Sequence, residues 1–150
     1  MIEFNFRNLT GYKKLNRRFF LRIIKTAAKV AIPHVQNMGL SISLVNTSRM
    51  AQLNKARKKS GPTDVLSFPL MDNVAMPGGN VIMELGDIFL CPAILKKKAL
   101  EYRSDLSSHV GLMTVHGFLH LLGYDHETSI FESRRMEQLS DKIIKMLNHS

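Results

Sequence analysis

With a single cysteine, Cys91, in 150 residues, the chain can form no internal disulfide, and the plainest setting for it is a reducing one, the cytoplasm. Cys91 reads as a small buried hydrophobe rather than a ligand or nucleophile. No apolar run is long enough to span a bilayer, and the opening MIEFNFRNLTGYKK alternates apolar with polar residues instead of supplying the apolar core of a signal peptide. Neither secretion nor a membrane anchor is expected. Repeats and low-complexity tracts are also missing, so a repeat architecture is not expected. Acidic residues are scarce: 12 Asp plus Glu stand against 21 Lys plus Arg, a formal net charge of +9 that favours polyanions such as nucleic acid or an acidic membrane surface.

What is present suffices for one core. At 45% hydrophobic residues, a chain of 150 is read as a single domain over residues 1–150. Period-two alternation and β-rich runs predict strands at residues 2–6, 40–45, 64–68 and 86–90. Helices are predicted over 12–31, from the caps at 46–48 to about 55, from Pro92 to about 102, over 105–122, and after Ser129, whose spacing to Glu132 is that of a capping box. Met136, Leu139, Ile143 and Leu147 give this last helix its apolar seam, and residues 71–80, with Pro77, Gly78 and Gly79, read as a long loop. The expected fold is α+β, a small mixed four-stranded sheet packed by about five helices; strand order does not follow.

Lys14, Arg18, Arg22, Lys25 and Lys29 recur at three and four along the first helix, opposite Tyr12, Leu15, Phe19, Ile23 and Val30. Such a stripe is either a solvated face or a binding face. Lys55, Arg57, Lys58 and Lys59, together with Lys96 to Lys98, widen the basic surface available to a polyanion.

The run HGFLHLLGYDH from His116 to His126 concentrates chemistry. His116 and His120 lie one helical turn apart on one face, and Gly123 can stop the helix so that the chain returns with His126. Three imidazole ligands leave a tetrahedral zinc a fourth position for water, the arrangement of a catalytic site. The other reading is a core helix with two satisfied histidines and a third in a turn. The spacing matches H-E-x-x-H-x-x-G-x-x-H metalloproteases, but their general-base Glu is replaced by Gly117, which has no side chain to take a proton. Peptide hydrolysis by that route is not expected, whereas zinc can lower the pKa of water from about 16 to about 7 and polarise a phosphoryl oxygen.

His109 shares the helical face, but seven residues is about 10 Å along the axis, too far to join His120 on one ion. A supporting or substrate-contacting role competes with an ordinary core or surface one. Asp125 can orient a ligating imidazole or bond its own turn, and the turn role is preferred.

These residues, with Asn54, Arg57, the block Thr63-Asp64-Val65-Leu66-Ser67-Phe68-Pro69 and then Leu85-Gly86-Asp87-Ile88, resemble the YbeY family of bacterial rRNA maturation endoribonucleases. The resemblance covers about residues 54–136, with all three blocks in order and spacing. It implies a zinc-dependent, single-strand-specific endoribonuclease acting in 16S rRNA 3′-end maturation and ribosome quality control, with one zinc on His116, His120 and His126. It also implies RNA of the small ribosomal subunit as partner, with room for ribosome-associated proteins and no role for a membrane. Arg57 matches the family's cavity arginine, where a guanidinium clamps a phosphate. One departure stands in the last helix: Ser140 occupies a place usually held by Glu, so a charged contact there is in doubt. Two rivals remain open at this point, a protease-like metal hydrolase with its base supplied from elsewhere and a non-catalytic RNA-binding assembly factor with structural zinc.

Overall fold

A computed structural model describes residues 1–125 and 129–149. The strands β1 (Ile2–Asn8), β2 (Met38–Leu44), β3 (Val65–Ala75) and β4 (Val81–Leu90) form one sheet in the order β1-β2-β4-β3. β1 with β2 and β2 with β4 run parallel, and β3 pairs antiparallel with β4 at the edge. Around it lie α1 (Arg17–Ala31), α2 (Thr47–Ala56), α3 (Pro92–Glu101), α4 (Leu106–Leu121) and α5 (Ile130–Asn148). Among the described residues, the expected α+β fold, mixed four-stranded sheet and five helices are what is observed.

Position in the fold follows from α4, whose buried residues point in every direction: His109, Val110, Gly111, Thr114, Val115, Gly117, Phe118, Leu119 and Leu121. A helix apolar all round must be enclosed. It packs against α1, α3 and α5 on its sides and against β3 and β4 beneath. Phe118 and Leu119 join Phe20, Ile24, Ile42, Leu44, Ile88 and Leu90 in the main core, where each fully buried large side chain contributes about 1.5–3 kcal/mol.

Two expectations are corrected. The first helix begins at Arg17, not at residue 12, because Asn16 caps it by accepting from the Phe19 N–H at 3.0 Å while Asn8 ties down the Tyr12 carbonyl at 3.0 Å. Lys14 therefore lies off the helical stripe. The long loop read at 71–80 is instead a hairpin, since β3 runs to Ala75, β4 starts at Val81, and Gly78 and Gly79 turn the chain at positive φ. Pro69 is tolerated because β3 is an edge strand, and the register shifts beside it, opposite Gly86. At Gly86 a Cβ would lie 2.1 Å from the Phe68 carbonyl oxygen, so only glycine fits there.

Candidate metal centre

Gly123 stops α4 at φ +97°, donating to the His120 carbonyl at 3.0 Å, while the Tyr124 N–H returns to Leu119 at 3.1 Å. This paired closure is a Schellman motif. It turns the Tyr124 carbonyl toward the helix, where it accepts a hydrogen bond from His120 Nδ1 at 2.8 Å. A carbonyl can only accept, so Nδ1 carries the proton and the lone pair stands on Nε2, the form in which an imidazole ligates a metal. The helix stop thus sets the tautomer of the imidazole one turn away.

His116 and His120, both half-buried, line an open cleft of about 460 Å³ whose other walls include Arg57, Asp64, Ser67, Gly117 and Asp125. His126 lies outside the described residues. Among the described residues no group of three His, Cys, Asp or Glu side chains gathers as a metal site. The two histidines on one face, with His120 in the ligating tautomer, fit two positions of a zinc site.

The cleft collects Arg57 with the histidines through local chain logic. α2 ends at Arg57, Lys58 takes a left-handed φ of 61°, and the N–H groups of Arg57 and Lys59 both return to the Asn54 carbonyl, at 3.0 and 3.1 Å. The buried Asn54 side chain then donates to the Gly61 carbonyl at 2.9 Å, holding the loop that follows. Arg57 lies over the Phe68 ring at 5.8 Å, and Phe68 meets Phe89 edge-on at 5.6 Å. A guanidinium supported on a ring at the cleft wall is held in a defined plane, which an ammonium cannot be.

Gly117 now has a physical reason. A Cβ there would lie 3.1 Å from Ile88 Cγ2 and 3.4 Å from Ser67 Oγ, and the Gly117 carbonyl accepts from the Ser67 hydroxyl at 3.2 Å. Glycine lets α4 settle on β3 and β4. A Glu at this place would start against Ile88, so the missing protease base reflects packing as well as chemistry.

Sequence reasoning passed over Ser67 and Tyr124 as single positions. Tyr124 acts through its main-chain carbonyl, which no side-chain pattern reveals. Asp64, also in the cleft wall, accepts from the Val65 N–H at 2.9 Å and pairs with Lys98 at 3.0 Å. Lys98, counted beforehand in the basic surface, is therefore tied to a carboxylate, whereas Lys96 and Lys97 are exposed. Asp125 is exposed at the cleft wall, and His109 lines a different groove. Ser140 is buried on the inner face of α5 with Met136, Ile143 and Leu147, a place where a carboxylate would need a partner.

The family model for Endoribonuclease YbeY matches residues 5–148. The chain belongs to the YbeY endoribonuclease family. Among its relatives, the Endoribonuclease YbeY of Mycoplasma mycoides is 41% identical over 135 residues, covering 88% of this chain and 80% of the relative. Those of Mycoplasma capricolum and Thermodesulfovibrio yellowstonii are each 36% identical, covering 99% and 82% of this chain and 90% and 76% of theirs. A Thermotoga maritima protein solved in solution has a similar fold, with a TM-score of 0.64, 26% identity, and coverage of 97% of this chain and 87% of the other.

Proposed function

We propose that this chain is a zinc-dependent endoribonuclease that cleaves single-stranded RNA, with the RNA of the small ribosomal subunit as its substrate in 3′-end maturation and quality control. The observation that carries the reading is the cleft that brings Arg57 together with His116 and a His120 locked in its ligating tautomer. His116 and His120, with His126 added by the sequence pattern, would hold one zinc. Bound there, zinc supplies Lewis acidity, lowering the pKa of water and polarising a phosphoryl oxygen.

The chain's own residues do the rest. Arg57 clamps a phosphate oxygen and offsets charge that grows in the transition state, and its support on Phe68 reduces the reorganisation this needs. Lys55, Lys58 and Lys59 are exposed beside it and attract the RNA backbone. Asp64, held by Lys98 and the Val65 amide, sits at the cleft wall without adding an uncompensated negative charge near the phosphate. A cytoplasmic setting belongs to the same proposal. Among the described residues no helix is long and apolar enough to cross a membrane.

Incubation with single-stranded RNA, double-stranded RNA and an unfolded protein tests the reading. Cleavage of the single strand alone is expected, with affinity that falls steeply as salt rises. Proteolysis, or RNA binding that is flat in salt, would overturn it.

A further inference from the structure

Behind the metal cleft, α4 and α5 leave a second groove of about 750 Å³, and Met113 and His116 line both spaces. Its other walls include Tyr102, His109, Leu112 and Met136, with Ser133 and the carboxylate of Glu137 on α5. The lining is mainly apolar, yet it contains one polar group out of place: His109 is 6% exposed, and its Nε2 has no hydrogen-bond partner among the described residues. A buried nitrogen in that state is destabilising until a partner is supplied. Tyr102 lies against it, the ring centroids 5.7 Å apart and tilted by 34°, but Tyr102 is itself 71% exposed. An aromatic side chain held at the mouth of an apolar groove, in a chain of net charge +9, matches what single-stranded RNA recognition uses: a ring to stack on and a polar atom to read a base edge.

We propose that this groove receives a nucleobase of the RNA strand whose backbone lies in the metal cleft, stacked on Tyr102 and hydrogen-bonded to His109 Nε2. The inference rests on the RNA-cleaving reading of the cleft and adds a base-binding subsite to it. Continuity is the main argument. His116 forms part of both spaces, and His109 stands two turns earlier on the same helix, about 10 Å along the axis, so a nucleotide neighbouring the phosphate at His116 reaches the groove without a break in the strand. Nε2 is shielded from solvent, so forming the hydrogen bond requires the groove wall around it to adjust as the base enters. Ser133 and Glu137 on α5 also line the groove.

The test is a set of single-stranded RNA substrates carrying one abasic nucleotide at successive positions around the cut. One abasic position beside the scissile phosphate is expected to raise KM about tenfold with kcat within about twofold. Tyr102→Ala and His109→Gln are expected to raise KM for the intact RNA similarly and to erase the effect of that abasic position, with zinc content unchanged. If His109→Gln does not fold, Tyr102→Ala decides, because its side chain is exposed. A uniform abasic scan, or variants with wild-type KM, would overturn the subsite, as would self-association abolished by Tyr102→Ala, which would assign the groove to a second copy. Should the wild type cut no RNA at all, the reading of the cleft fails instead, and binding of the same oligonucleotides by fluorescence anisotropy still decides the groove.

Discussion

His120 and His109 ride on the same helix, eleven residues apart, and their surroundings are opposite. At His120 the chain turns back through Gly123 and gives Nδ1 a carbonyl at 2.8 Å, whereas His109 is more deeply buried and its Nε2 has no partner among the described residues. One ring is fixed in a single tautomer, and the other awaits a partner. The difference shows how one helix can hold a rigid imidazole at its C-terminal end and an unpartnered one about three turns earlier. Helix stop and groove lining decide between them, since the residue type is the same.

Among variants that keep the metal, the largest effect is expected from Arg57→Ala, which should lower kcat about 10²- to 10³-fold while one zinc per chain is retained. Single-turnover cleavage with parallel zinc analysis checks this, and loss of zinc would show that Arg57 serves the metal and not the phosphate. Gly123→Ala should come next, weakening zinc binding about 10- to 100-fold by disturbing the Tyr124 carbonyl behind His120 and costing about 1–2 kcal/mol for a left-handed φ. Competition with a zinc chelator and urea unfolding measure the two parts separately. A stability loss without a change in zinc affinity would break the claimed link between the helix stop and the ligand.

Gly117→Ala isolates packing from chemistry. Its Cβ at 3.1 Å from Ile88 should destabilise the fold by about 1–3 kcal/mol, partly offset by about 1 kcal/mol of helix propensity. Gly117→Glu should gain no proteolysis, because the new side chain starts against the sheet.

The smallest effect lies at the other end of α4. The Ser108 backbone N–H, and then its side chain, hold the Asp105 carboxyl below its ordinary value of 3.8. Because the folded form has the lower pKa, the cap contributes stability above pH 3.8 and loses it as pH falls through the folded value. Asp105→Asn should flatten that acid-side loss in a thermal-melt pH series and leave zinc binding alone.

How much of this was legible beforehand depends on the kind of signal. The helix carrying His116 and His120 could be read because the four-residue histidine spacing, Asp105 and Gly123 all agree on it. Pro92 and Ser129 likewise marked their helices. The hairpin across Met76 to Asn80 was missed because glycine and proline in a tight turn resemble those of a loop, and its exposed strands bury too little to show a pattern. The start of α1 was misplaced because residues 12–15 continue the helical spacing, while the cap at Asn16 is local hydrogen bonding. The site divided in the same way. Histidine spacing exposed the two imidazoles that share the cleft, but the role of Tyr124 rests on a main-chain carbonyl and that of Gly117 on contact with Ile88, neither visible from residue types. Arg57 stood out only by resemblance, since its support, Phe68, is eleven positions away on another element.

The most direct test is to strip the protein of metal and titrate zinc back while following cleavage of single-stranded RNA. The account predicts no cleavage without metal, full recovery at one zinc per chain, and no recovery in His120→Ala. Undiminished cleavage by the metal-free protein, or full recovery in His120→Ala, would contradict it.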